Sequence, residues 1–170
     1  MVRPADEQIW QWLSEVSDPE IPVISVIDLG IVRALRWTDE LHCEVTITPT
    51  YSGCPAMQVI TENIQQVLQS HGVQTVSVKT QLSPAWTTDW MSESGKQKMQ
   101  AFGIAPPAQQ ASQIAKIDVS ALISHASVDI PCPQCASLNT RLISQFGSTS
   151  CKALYRCTDC LEPFDYFKPH

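Results

Sequence analysis

Apolar residues at Ile9, Trp12, Leu13 and Val16 recur at three- and four-residue spacing, so residues from about Pro4 to Ser17 are expected to form an amphipathic helix. Asp18-Pro19-Glu20-Ile21-Pro22 ends it, because two prolines forbid continuation. From Leu41 to Thr48 apolar and polar residues alternate, the period of a strand with one buried face. Ile31 to Trp37 is its expected partner strand, turned through Thr38-Asp39-Glu40. Helical spacing returns at Met57, Ile60, Ile64, Val67 and Leu68 and stops at Gly72. Val76, Val78, Thr80 and Leu82 predict a third strand, and Thr87 to Phe102 a third helix with Gly103 just after it.

Beyond this point the pattern breaks. Pro106 to Gln113 has turn and low-complexity character, and from Ile130 short β-prone pieces alternate with cysteine pairs. The expected fold class is α+β in two domains: a body over residues 1–103, a linker over 104–127, and a metal-stapled module over 128–170. So small a module cannot bury an adequate core unaided, which independently suggests a metal.

Composition narrows the class. Hydrophobic residues make up 44% and charged residues 16%, as in a folded globular protein. No apolar run is long enough for a membrane span, and the N-terminus lacks an apolar signal region. A reducing cytoplasm is therefore expected, where C-x-x-C pairs more often hold metal than form disulfides. The net charge of −6 argues against nucleic acid as the main partner.

Seven cysteines carry most of the candidate chemistry. Cys132, Cys135, Cys157 and Cys160 form two C-x-x-C pairs, the spacing of a tetrahedral zinc site. Four thiolates would close the coordination sphere, so such a zinc would be structural. Free thiols, disulfides and an iron–sulphur cluster on the same residues are the alternatives. Leu138 to Gln145 and Cys151 to Arg156 are strand-like and joined at Gly147, as in a zinc ribbon. Cys151 lacks a C-x-x-C partner and is left out of the quartet.

Cys54 stands apart in Tyr51-Ser52-Gly53-Cys54-Pro55. Pro55 suits the first helical position, which would make Cys54 the cap, and unpaired N–H groups there stabilise a thiolate. An accessible sulphur of low pKa is expected, able to attack or to bind metal; the alternative is a small buried apolar cysteine. Asp18 and Glu20, flanking Pro19, are candidate hard ligands beside it, although carboxylates in such turns are also common caps. Cys43 shares a strand face with Leu41, Val45 and Ile47 and is expected in the core. No Ser-His-Asp order, phosphate-binding glycine loop or H-E-x-x-H motif is present.

Asp18-Pro19-Glu20-Ile21-Pro22, Asp28-Leu29-Gly30-Ile31-Val32 and Thr48 to Ala56 resemble the small iron–sulphur assembly domain. Pro84 to Met91, Phe146 to Thr149, Cys151 to Cys157 and Pro163 to Lys168 are similar to the phenylacetate-degradation protein D family, over nearly the whole chain except the linker. The resemblance implies helices packed on a short mixed sheet, then a zinc ribbon. It implies a maturation factor for the iron–sulphur or di-iron centres of the phenylacetyl-CoA 1,2-epoxidase system, with Cys54 handling iron or a cluster transiently; Asp18 and Glu20 are its candidate helpers on the strength of their turn alone. Independent catalysis is not expected. The implied partners are the oxygenase subunits and the iron–sulphur flavin reductase, with a homodimer also allowed. The alternative is a structural or regulatory subunit of the monooxygenase.

Overall fold

The computed structural model of the chain describes residues 3–108 and 130–169. Two compact units emerge, one ending at Phe102 and the other running from Gly103 to Pro169.

In the first unit, α1 (Asp6–Leu13) is shorter than its apolar repeat suggests. The Ala5 N–H donates to Gln8 Oε1 at 3.0 Å, and Asp6 and Glu7 complement the positive end of the helix dipole. After Leu13 the bonds tighten: Glu15 N–H donates to Trp12 O and Val16 N–H to Leu13 O. Strands β1 (Val32–Trp37) and β2 (His42–Ile47) run antiparallel, with a bulge between Val32 and Ala34. β2 runs parallel to β3 (Thr75–Thr80), and the crossover this demands is α2 (Ala56–Ser70). The mixed sheet has the order β1-β2-β3.

Strand alternation is expressed directly as burial. Cys43, Val45 and Ile47 are fully buried, while His42, Glu44 and Thr46 are only half-buried. Ile60, Ile64 and Leu68 of α2 and Ile9 and Leu13 of α1 are also fully buried, each worth about 1.5–3 kcal/mol. His42 Nε2 lies 2.8 Å from Ser77 Oγ on the more polar face.

Two expectations change here. Residues Thr87 to Phe102 are not one helix but a 3-10 turn (Thr88–Trp90) followed by α3 (Glu93–Ala101). Two caps in series cause the break: Thr87 Oγ1 accepts the Asp89 N–H at 3.2 Å, and Ser92 Oγ accepts the Gly95 N–H at 2.9 Å. The third strand stops at Thr80, leaving Leu82 exposed.

The second unit is a four-stranded sheet in the order β4-β7-β6-β5, built from β4 (Ile104–Ala105), β5 (Thr140–Ser144), β6 (Lys152–Cys157) and β7 (Pro163–Phe167). Ile104 and Ala105, placed in the expected linker, instead pair in parallel with Asp165 and Tyr166. Residues 109–127 of that linker lie outside the described residues. Ala105, Ile130, Cys132, Ala153, Cys157, Phe164 and Tyr166 form a small core, with Tyr155 edge-on to Tyr166 at 5.6 Å.

Candidate metal centre and thiol site

Each C-x-x-C pair turns back on itself in the same way. Cys132 N–H donates to Ser137 O and Cys157 N–H to Glu162 O, both at 2.9 Å. The residue after each second cysteine, Ala136 (φ 59°) or Leu161 (φ 66°), is left-handed without being glycine. That twist aims backbone donors at sulphur: the N–H of Ser137 at Cys135, that of Glu162 at Cys160, and those of Cys160 and Asp159 at Cys157.

All four Sγ atoms lie within 4.8 Å of one another. Between knuckles, Cys132 and Cys160 are 3.7 Å apart and Cys135 and Cys157 are 3.6 Å apart. Those separations are far too long for a disulfide bond of about 2.05 Å. A tetrahedral ion with metal–sulphur bonds of ~2.3 Å needs edges of about 3.8 Å, and the quartet fits it. The four groups cannot all ionise unaided. The Cys160 and Asp159 N–H groups hold the Cys157 thiol down at about 7. Cys160 is pushed up to about 12, because desolvation and the three other sulphurs outweigh the Glu162 N–H. A bound cation would relieve that repulsion and let all four serve as thiolates. The arrangement is therefore a structural metal-binding site with no open position. Cys151 stays outside it, buried with Sγ 3.0 Å from Thr149 Oγ1.

In the first unit Cys54 is half-buried, two residues before α2. Pro55, in helical conformation, occupies the cap position, so Cys54 lies one residue outside it, contrary to expectation. Its sulphur still meets the helix start, accepting from the Ala56 N–H, and it also meets the Thr50 side chain. Both contacts lower the thiol's pKa, but burial outweighs them and the carboxylates of Glu20 and Asp18 add to the rise. Cys54 is therefore a thiol near neutrality, not the low-pKa thiolate expected. The carboxylates responsible are the candidates singled out beside it. Burial and surrounding charge were invisible to local spacing.

Asp18 also fixes its own turn, its Oδ1 accepting the N–H groups of Glu20 and Ile21, each at 2.8 Å. Beside the thiol loop, Pro49, Thr50, Tyr51, Ser52, Leu82, Ala85 and Trp86 line an open cleft of about 410 Å³. Thr50 was not foreseen from the sequence; its position four residues before Cys54 was the only signal. Asp28 is braced instead of free: its carboxylate accepts from Lys98 Nζ and Ser92 Oγ, both at 2.8 Å, and from Ser25 N–H at 3.1 Å.

Comparison with known proteins matches each unit separately. The family model "PaaD zinc beta ribbon domain" matches residues 117–168, and "Iron-sulfur cluster assembly protein" matches residues 6–79. An Escherichia coli (strain K12) protein, named as the D component of a "Putative 1,2-phenylacetyl-CoA epoxidase", is 45% identical over 97% of this chain and 93% of its own length. The chain belongs to the phenylacetate-degradation protein D family.

Within this family the quartet falls in the ribbon match, while Asp18, Glu20 and Cys54 fall in the assembly match. A "Fe-S protein maturation auxiliary factor" of Porphyromonas gingivalis (strain ATCC BAA-308 / W83) is 37% identical over 52% of this chain and 84% of its own length. A "Domain of Unknown Function DUF59" from Bacillus anthracis, solved by crystallography, shares 25% identity with a TM-score of 0.52, covering 55% of this chain and 90% of that one. The body of this phenylacetate-degradation protein D relative thus has that domain's fold, and the ribbon is an addition to it.

Proposed function

We propose that this chain is a cytoplasmic maturation factor that delivers iron or an iron–sulphur unit to the metal centres of a phenylacetyl-CoA epoxidase system. Its clients would be the oxygenase subunits or their iron–sulphur flavin reductase. The observation that carries this reading is Cys54 just before α2, bonded by the Ala56 N–H and Thr50 and within electrostatic reach of Glu20 and Asp18, inside the region that matches cluster-assembly proteins. Iron is cargo in this scheme. A neutral thiol must lose its proton to solvent as the cation binds, and the negative charge of Glu20 and Asp18, which disfavours the bare thiolate, favours a cation beside it. A raised pKa also makes the Cys54 sulphur a weaker standing ligand, which suits release over storage.

Zinc is the proposed occupant of the ribbon, held by Cys132, Cys135, Cys157 and Cys160 as thiolates. When bound it cross-links two knuckles and stabilises a unit with a small core. A homodimer is compatible with this scheme but not required by it.

Co-expression of Cys54→Ser with the oxygenase and reductase tests the assignment. The variant should fold and keep its ribbon metal, while client iron content falls several-fold. Full client loading would remove Cys54 from the role. The name borne by the E. coli relative favours a second reading, a structural subunit of the epoxidase. That reading predicts stable co-elution with the catalytic subunits on gel filtration and indifference to Cys54.

A further inference from the structure

The ribbon sheet has two unlike edges. β4 is two residues long and buried, whereas β5 is a five-residue outer strand with every residue exposed or half-buried. Exposed edge strands are normally blunted by charge and kept free of large apolar groups. This one carries a charge, Arg141, but also large apolar groups: Leu142 (45%), Ile143 (49%) and Phe146 (64%) are exposed on β5 and the turn after it, with Leu138 (57%) just before it. The bulge between Leu142 and Ser144 places an extra residue, Ile143, at the edge. Phe146 is held in its exposed position by Lys168, whose Nζ lies 4.7 Å from the ring centroid and donates to Gln145 O at 3.1 Å.

Charge tells what would cover this edge. Arg141 lies on β5 and Arg156 directly opposite it on β6. Neither these guanidiniums nor Lys168 has a carboxylate partner among the described residues; Lys152, the ribbon's other cation, faces Asp165 at 3.8 Å. Residues 130–170 carry a formal +1, against −7 for the remainder of the chain. Arg141 on β5 and Lys168 beside the turn after it, neither with a carboxylate partner among the described residues, thus border a strand edge with aliphatic side chains, while Arg156, one strand inward, donates from Nε to Leu161 O at 3.2 Å.

We propose that β5 is a docking edge that takes an extended acidic segment of a partner protein as an added strand. The backbone of β5 would supply the hydrogen bonds, its aliphatic side chains the contact area, and Arg141, Arg156 and Lys168 the preference for an acidic sequence. Nucleic acid fits less well, since apart from Phe146 the exposed apolar groups of the edge are aliphatic, and the whole chain is acidic. The proposal is independent of Cys54 and of any cargo.

Amide chemical-shift titration of the full chain, loaded with zinc, tests it. The probes are a synthetic peptide alternating glutamate and valine, its lysine–valine counterpart, and a thymidine oligonucleotide. The acidic peptide should move the amides of 140–146. Arg141→Glu should weaken it about five-fold or more and create binding of the lysine peptide. Ile143→Asp should weaken the acidic peptide without releasing zinc. No shift with the acidic peptide, equal binding of both peptides by the wild type, or tighter binding of the oligonucleotide would each overturn the proposal. Concentration-dependent dimerisation abolished by Arg141→Glu would overturn it too, assigning the edge to a second copy.

Discussion

Two thiols of the first unit, one buried and one half-buried, respond to their surroundings in the same direction and serve different ends. Cys43 is fully buried beneath the helices, and desolvation, with Asp6 adding to it, pushes its thiol up to about 11. A raised acid pKa contributes stability that is complete below the unfolded value, near 9, and lost as pH climbs through the folded one. Two pKa units correspond to about 2–3 kcal/mol. Urea melts should therefore show wild type losing that much between pH 9 and 11 relative to Cys43→Val; parallel losses would refute the assignment. Cys54 is raised by burial, Glu20 and Asp18, but it is only half-buried and remains within reach of reagents. Its alkylation, followed by mass spectrometry, should be slow at neutral pH and accelerate only above the ordinary thiol range. Glu20→Gln should move the onset to lower pH, and an unchanged onset would deny the carboxylate its influence.

Local pattern and tertiary contact divide the elements between them. β2 and α2 were legible because each buries one face, with Val45 and Ile47 or Ile60 and Ile64 at the right period. The stretch from Asp18 to Ile31 was not, although Ile24 and Val26 are fully buried. Its backbone is satisfied by the side chains of Asp18 and Asp28, which leaves no periodic trace. β4 is too short to have a period. The buried loop is locked by close approaches: a Cβ on Gly30, at φ +68°, would stand 2.3 Å from Trp90 O, and one on Gly95 would stand 2.9 Å from Asp28 Cβ. Gly30→Ala should cost several kcal/mol, on the order of an overpacked site combined with a strained left-handed backbone. Ser92→Ala, which removes both a cap and a contact to Asp28, should cost about 1–2 kcal/mol. Denaturant midpoints would rank them; equal midpoints would refute the packing account.

Across the whole molecule the two units depend on different forces. The first buries long aliphatic side chains from two helices and a sheet, whereas the core cluster of the second has, among the described residues, seven members, two of them quartet cysteines. Chelation should thus unfold the ribbon, seen as collapsed dispersion for the amides of 130–169, while those of β2 and α2 hold their positions; a cooperative loss of both would show that the body needs the metal. Spacing alone made the quartet legible, since two C-x-x-C pairs leave few alternatives. The Cys54 site was legible only as residues, because its electrostatics depend on a turn more than thirty residues away. The most direct measurement of its role is anaerobic reconstitution with iron and sulphide, counting iron and zinc per chain in wild type and Cys54→Ser. Iron bound above the zinc content in wild type and lost in the variant, with about one zinc retained by both, is the predicted result. Equal iron in the two would contradict it.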